Sequence, residues 1–303
     1  MTMMIQPIQP GFVGVVTGID ICQPITAKQV AEIERGMDSL AVLSFPNQPL
    51  TDDQQVTFSA NFGELEIPLA AQMMAPEKRR FQKIELGDIS NFDGKNTDRL
   101  RDREDSRRMY ALANRLWHSD ASFRAVGAGY TLLHSRVNPT KGGNTEFADM
   151  RAAYDALDSA TKALVDDMIV GHSIVYSREQ IGFEVKDDGN PDNLRPVKHR
   201  LVVTHPVTGR KSLYLSSHIG EIDGWLVPEA RAFLRDLTEH ATQPQFVYSH
   251  KWAVNDMVMW DNRTVMHRAT RFDDLKERRD LRRTSIKGVG LAIDHVPAQQ
   301  AAE

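Results

Sequence analysis

Three side chains in this sequence could hold one metal ion. His118 and Asp120 stand two apart in Leu116-Trp117-His118-Ser119-Asp120, and His267 closes the segment Trp260-Asp261-Asn262-Arg263-Thr264-Val265-Met266-His267. In an extended chain, residues two apart point to the same face, so His118 and Asp120 can grip an ion from one strand. With His267 they supply two imidazoles and a carboxylate on one side of a metal and leave its other positions open. Non-haem Fe(II) centres use that facial arrangement to bind a co-substrate together with O₂. Zn(II) or Co(II) could occupy the same ligands, because affinity order alone does not select iron. A His-x-Asp pair is weak evidence on its own in a chain with 10 histidines, since such pairs arise by chance. Taken singly, the three residues read as structural hydrogen bonds and a core histidine.

A basic segment, Arg278-Arg279-Asp280-Leu281-Arg282-Arg283, follows shortly after His267. Arginine forks match carboxylates bidentately, so the segment could receive a dicarboxylate. It could equally be a solvated edge or a phosphate patch, although Asp273, Asp274, Glu277 and Asp280 interrupt the positive charge and weaken a nucleic-acid reading.

Together these segments resemble the Fe(II)/2-oxoglutarate dioxygenases of the taurine dioxygenase and 2,4-dichlorophenoxyacetate dioxygenase family. The resemblance covers most of the chain, from Gly14-Val15-Val16-Thr17-Gly18-Ile19-Asp20 through the run from Gly142 to Leu157 to the final arginines. The branch that attacks phenoxyacetates is the nearer likeness, through Leu116 to Asp120, Asp149 to Leu157 and Glu239-His240-Ala241-Thr242-Gln243.

The resemblance implies Fe(II), 2-oxoglutarate as co-substrate and O₂, with His118, Asp120 and His267 as metal ligands. One arginine of a pair spaced by four would hold the distal carboxylate of 2-oxoglutarate and the other would face the organic substrate. Both Arg278/Arg282 and Arg279/Arg283 have that spacing. On a strand a slip of one residue reverses the face. Counting from His267 favours the first pair, and aligning Thr284-Ser285-Ile286 favours the second. The preferred assignment is Arg279 for 2-oxoglutarate and Arg283 for the substrate anion, with an extra residue between Asp273 and Glu277. Thr145 resembles the threonine that assists the same distal carboxylate, and Asn114 matches a position beside the substrate. Phe123, Ser216, Ser217 and His218 are further candidates for the pocket wall, whereas Trp117 and Trp260 read as core or wall.

The implied reaction hydroxylates the carbon next to the carboxylate of an aryloxyalkanoate. The product collapses to a phenol and, from an acetate side chain, glyoxylate, while 2-oxoglutarate becomes succinate and CO₂. A sulfonate such as taurine would satisfy the same arginine. A zinc-dependent hydrolase or isomerase on a related β scaffold is the alternative in another class, but it leaves the arginine pair and Thr145 unexplained.

Short alternating apolar runs dominate the elements that must position these residues. Phe12 to Ile19 reads as a strand or hairpin. Thr26 and Thr51 are N-caps of two helices, the first with Val30, Ile33 and Met37 inward and the second with Val56, Phe58 and Phe62 inward. Ala41 to Phe45, Tyr130 to Val137, Phe246 to Trp252 and Asp256 to Trp260 read as strands, and Leu201 to His205 with Ser212 to Ser216 as a hairpin. Asp149 to Leu157 and Ala160 to Met168 read as helices, the latter capped by Asp158 or Ser159. Pro228 suits the first turn of a helix through Glu239. Many short strands with few helices predict a mainly β jelly roll with peripheral helices, the double-stranded β-helix that the resemblance also implies.

One dioxygenase domain is expected over residues 1–303. Residues 65–110, where periodicity fades around Met73, Met74 and a mixed-charge run, are expected to form an active-site lid or loop insertion. Residues 172–200 lack a clear period, and the alanine-rich tail from 291 to 303 is expected to fray. The 303 residues carry 37 basic and 41 acidic side chains, for a formal net charge of -4. That balance argues against a nucleic-acid or membrane partner recognised by bulk charge and for a small anionic substrate. Cys22, the single cysteine, excludes an intramolecular disulfide and suits a reducing cytoplasm; a homo-oligomer is expected.

Overall fold

The computed structural model describes residues 2–68, 71–72, 75–94, 96–185 and 194–293. Met73, Met74, Gly189-Asn190-Pro191 and the tail beyond 293 therefore lie outside the described residues. In chain order, β1 (Met4–Gln9) and β2 (Val13–Thr17) form a hairpin, helix Ala27–Leu40 follows, and β3 (Val42–Phe45) lies parallel to β2. After helix Asp52–Ser59 come β4 (Gly87–Ser90), the small ladder of β5 (Phe92–Asp93) with β6 (Asn96–Leu100), and helix Ser106–Ala111. Then β7 (Val126–Val137) and β8 (Thr145–Asp149) precede helices Met150–Asp155 and Ser159–Val165. The next part holds β9 (Ile169–His172), helix Ile174–Glu179, β10 (Val197–Arg200), the hairpin of β11 (Val202–Thr204) with β12 (Lys211–Leu213), and β13 (Ile219–Ile222). Helix Val227–Ala241 leads to β14 (Val247–His250), β15 (Met257–Asp261), β16 (Val265–Ala269) and β17 (Asp280–Leu291).

Ten strands form a major sheet of order β1-β2-β3-β15-β7-β17-β4 and a minor sheet of order β14-β8-β16, and β10-β9-β13 make a separate three-stranded sheet. Phe12, Val42, Leu133, Phe147, Trp260 and Val265 belong to one buried apolar cluster, and these residues come from both the major and the minor sheet. Those two sheets therefore pack face to face, and the fold is the expected mainly β jelly roll. Alternation along β15 shows how the sequence builds it. Val258 and Trp260 enter the cluster between the sheets, whereas Met257 and Met259 face a second cluster with Ile33, Met37 and Phe58 of the two N-terminal helices. On the minor sheet Val265 faces inward and Met266 joins the third cluster, with Leu234 and Leu237 of helix Val227–Ala241. By the same parity, His267 shares the inward face with Val265.

Most local expectations match these elements. Thr26 and Thr51 each make a capping box, with Gln29 and Gln54, satisfying two otherwise orphaned N–H groups at each helix start. Asp158 caps helix Ser159–Val165. Three expectations need correction. In the second helix Gln55 is buried and Val56 is only half-buried, because the Gln55 amide donates to the Arg282 carbonyl on β17. The 65–110 segment is partly built into the fold, since β4 pairs with β17 at the edge of the major sheet. Backbone pairing there does the work that apolar periodicity does elsewhere. In 172–200, the Ile174–Glu179 helix, capped by Ser173, is too short to announce a period. No helix among the described residues is long and apolar enough to cross a membrane.

Candidate metal centre and its cavity

His118 and His267 face each other across a single antiparallel bridge. Each backbone N–H donates to the other's carbonyl, at 3.0 and 2.9 Å. Side chains of such a pair project to the same side, and here the imidazole centroids lie 4.2 Å apart. The expected strand around His118 shrinks to this one bridge, because the chain turns at once, with Ala121 at φ 55°. The alternation survives over three residues nonetheless. Ser119 donates its hydroxyl the other way, to the carbonyls of Leu215 and Val265, while Asp120 returns to the side of His118. Asp120 oxygens sit 3.9 Å from His118 Nε2 and 3.7 Å from His267 Nε2. One potential ligand atom from each of the three lies within 4.8 Å of the others.

The donor set suits a divalent cation. His118 Nδ1 lies 2.8 Å from the Leu116 carbonyl, which requires the proton on Nδ1 and leaves the Nε2 lone pair free. His267 packs against Trp260 and Phe147 with its Nδ1 buried and unpartnered. Burial is the main influence on both imidazoles and lowers them, His267 to about 3. Burial alone would raise the Asp120 carboxyl. The charges of Arg283, His267 and His118, with the Thr131 hydroxyl, outweigh it and hold the group below the usual carboxylate range. All three side chains are therefore in their ligating forms at neutral pH.

The Trp-Asp-Asn-Arg segment turns out to be scaffolding for Asp120. Asn262 Oδ1 accepts from the Asp120 backbone N–H and from the Trp260 indole. Its amide donates 2.8 Å to the Thr131 hydroxyl, which in turn donates 2.9 Å to Asp120 Oδ2. Asp261 pairs with Arg263 at 2.7 Å. None of this was read from the sequence, because Thr131 gives no local sign that it faces Asp120.

Beside the triad opens a cavity of about 120 Å³, roughly ten times what one water needs. Its wall includes His118, His267, Thr145, Arg279, Arg283 and Asn114. Arg279 is 5% exposed and meets no carboxylate among the described residues. Its Nε donates to the Gly143 carbonyl at 3.3 Å and its guanidinium lies over Phe272. Burial lowers it, to about 10, so it stays charged at neutral pH. Gly143 cannot be another residue here, since its φ of +71° is left-handed and a Cβ would lie 2.7 Å from Pro139. The Thr145 hydroxyl accepts the Trp252 indole N–H at 3.0 Å, which leaves its own proton to be donated.

The two candidate arginine pairs separate by face. On β17, Leu281 lies in the inter-sheet cluster and Arg283 donates 2.8 Å to Asp120 Oδ1. Arg282 points the other way, to Asp52, and Thr284 bonds Ser59. Arg278 is exposed. The other predicted pocket residues lie elsewhere. His218 is buried beside His118, with ring centroids 6.4 Å apart, and against Phe123 at 4.9 Å. Its Nδ1 lies within 2.9 Å of the Ser122 and Ser216 hydroxyls. Phe123, Ser216 and His218 are not part of the wall of the cavity that holds Arg279.

Comparisons with known proteins agree with this geometry. The family model described as taurine catabolism dioxygenase TauD, TfdA family matches residues 4–285. The alpha-ketoglutarate-dependent 2,4-dichlorophenoxyacetate dioxygenase of Cupriavidus pinatubonensis is 42% identical, over 94% of this chain and 98% of that one. The (S)-phenoxypropionate/alpha-ketoglutarate-dioxygenase of Sphingobium herbicidovorans is 36% identical, over 90% and 91%. Among solved structures, AAD-2 in complex with Mn(II) and N-oxalylglycine matches with a TM-score of 0.87 and 46% identity, over 97% of this chain and 99% of that one.

Proposed function

Since the chain belongs to the TauD, TfdA dioxygenase family, we propose that its organic substrate is an aryloxyalkanoate, hydroxylated at the carbon next to the carboxylate. It is a 2-oxoglutarate-dependent non-haem iron dioxygenase. His118, Asp120 and His267 would hold the iron, which when bound couples O₂ and 2-oxoglutarate to oxidation of a C–H bond, releasing succinate and CO₂. From a phenoxyacetate the hydroxylated product is a hemiacetal that breaks to phenol and glyoxylate. The related 2,4-dichlorophenoxyacetate and phenoxypropionate dioxygenases support the substrate class.

The observation that carries the reading is Arg279, a buried guanidinium with no carboxylate partner among the described residues, in a cavity that opens onto the triad. A buried cation is costly unless it is paired, so the site awaits an anion. Arg279 and the donated proton of Thr145 would take the distal carboxylate of 2-oxoglutarate and fix its other end toward the three ligands. Arg283 spends one N–H on Asp120 and keeps others for the organic anion. Asn114, on the wall of the same cavity, would stand beside that substrate, whereas Phe123, Ser216 and His218 lie outside that wall.

The test is O₂ consumption with Fe(II) and 2-oxoglutarate, comparing phenoxyacetate with taurine and following phenol and succinate together. Matched phenol and succinate release supports the reading. Tight coupling with taurine alone overturns the substrate, and turnover with Zn(II) without O₂ overturns the reaction class.

A further inference from the structure

Arg178 is a second buried guanidinium near the metal centre, and no candidate role so far accounts for it. It is 6% exposed, on helix Ile174–Glu179. Its contacts are a 3.1 Å bond from Nη1 to the neighbouring Ser177 hydroxyl and Tyr110, whose ring face lies 4.0 Å from its Cζ and whose hydroxyl opposes part of the effect of burial. The Nε is buried with no partner. No carboxylate among the described residues engages it, and burial lowers it. Structural arginines in this chain look different. Arg151 is buried as well but closes on Asp149 and on three backbone carbonyls. A cation taken from water and given no counter-charge destabilises the fold, so its retention calls for a ligand.

The position points to which ligand. Ser177 is hydrogen-bonded to Ser217, whose backbone N–H donates 2.8 Å to the Trp117 carbonyl, one residue before His118. The arginine's charge acts on both His118 and His218. Its aromatic neighbour Tyr110 is itself in edge contact with Phe183. A guanidinium among aromatic rings suits an aromatic molecule with an anionic end. Arg283, by contrast, is already engaged by Asp120.

We infer that Arg178 is an anion-holding residue of the organic-substrate subsite, linked to the His118 side through Ser177, Ser217 and Trp117. This rests on the reading that the organic substrate is an aryl anion. It makes Arg178 a specificity-determining residue from an element that carries neither a metal ligand nor a 2-oxoglutarate contact.

The test uses the full chain loaded with Mn(II) and 2-oxoglutarate, without O₂, titrated calorimetrically with phenoxyacetate. Arg178→Gln and Arg178→Met should weaken phenoxyacetate at least tenfold and leave 2-oxoglutarate binding within twofold. Arg178→Lys should restore most of the affinity, and thermal midpoints of the first two should equal or exceed wild type. Unchanged phenoxyacetate affinity in Arg178→Gln overturns the inference. So does a lowered midpoint or loss of folding in both neutral variants, which would make the guanidinium a structural fastening. If the wild type ignores phenoxyacetate and binds taurine, the aryloxy reading falls, and the same variants titrated with taurine still decide the role of Arg178.

Discussion

Arg283 Nη1 lies 2.8 Å from Asp120 Oδ1, a contact that joins residues 163 apart in sequence. The carboxylate that completes the triad is thus clamped by a cation on one oxygen and by the Thr131 hydroxyl on the other. An anion bound at Arg283, as proposed, would be coupled to the disposition of Asp120 through this one bond.

In metal-free protein the clamp stabilises the fold in a pH-dependent way. Asp120 is depressed in the folded state, so its contribution is present above the unfolded value of about 3.9 and is lost as pH falls through the folded one. Arg283→Met removes its leading favourable partner. The acid-unfolding midpoint in the presence of a chelator, followed by circular dichroism, should move to higher pH, and an unmoved midpoint would show that the pair contributes nothing.

The histidines predict a flat metal-binding profile. An imidazole of ordinary pKa, about 6.5, loses affinity roughly tenfold for each pH unit below that value. His267, lowered to about 3, stays neutral well below it, and His118 is lowered in the same direction by burial. Co(II) titrations between about pH 5.5 and 7.5 should give nearly constant affinity. A steep loss below neutrality would mean that the imidazoles titrate normally.

Arg279 and Arg278 should behave oppositely although they are adjacent. Removing one partner of a buried charge pair costs about 2–5 kcal/mol, so Arg279→Ala should raise the 2-oxoglutarate requirement by roughly thirtyfold or more. Arg278→Ala should leave it within about twofold, as surface substitutions do. Initial rates against 2-oxoglutarate concentration decide between them, and the reverse pattern would place the other face of the strand in the cavity.

Thr131→Val deletes the hydroxyl that relays Asn262 to Asp120. Outer partners of metal ligands are worth about 10–100-fold in metal affinity, and a loss in that range is expected, read by competition against a chromophoric chelator. Unchanged affinity would show that Arg283 and the backbone position Asp120 unaided.

Trp252→Phe removes the indole N–H from the Thr145 hydroxyl. The freed hydroxyl can then rotate and no longer has its proton directed to the cavity. A net hydrogen bond is worth about 0.5–1.5 kcal/mol, so the KM for 2-oxoglutarate should rise about two- to tenfold while that for the organic substrate holds. Equal changes in both would mean that the indole serves packing alone.

The sequence alone carried the residue types of the triad, the N-caps Thr26 and Thr51, and the alternating strands that predict a jelly roll, because each is encoded within a few neighbouring residues. His118 and Asp120 could be matched as a pair for the same reason, although the strand expected around them is a single bridge. What it could not fix was anything set by a partner distant in the chain. Alternation predicts that Arg278 and Arg279 face opposite ways but not which one faces in; pairing of β17 with β7 and β4 decides that. Gln55 and Thr131 look like ordinary surface residues until β17 and Asp120 are brought against them. Arg178 lies in a segment without a readable period, and its burial with no carboxylate partner among the described residues is visible only in the folded chain. Types and spacing are local properties of a chain, whereas burial and the company a charge keeps exist only once the sheets have closed.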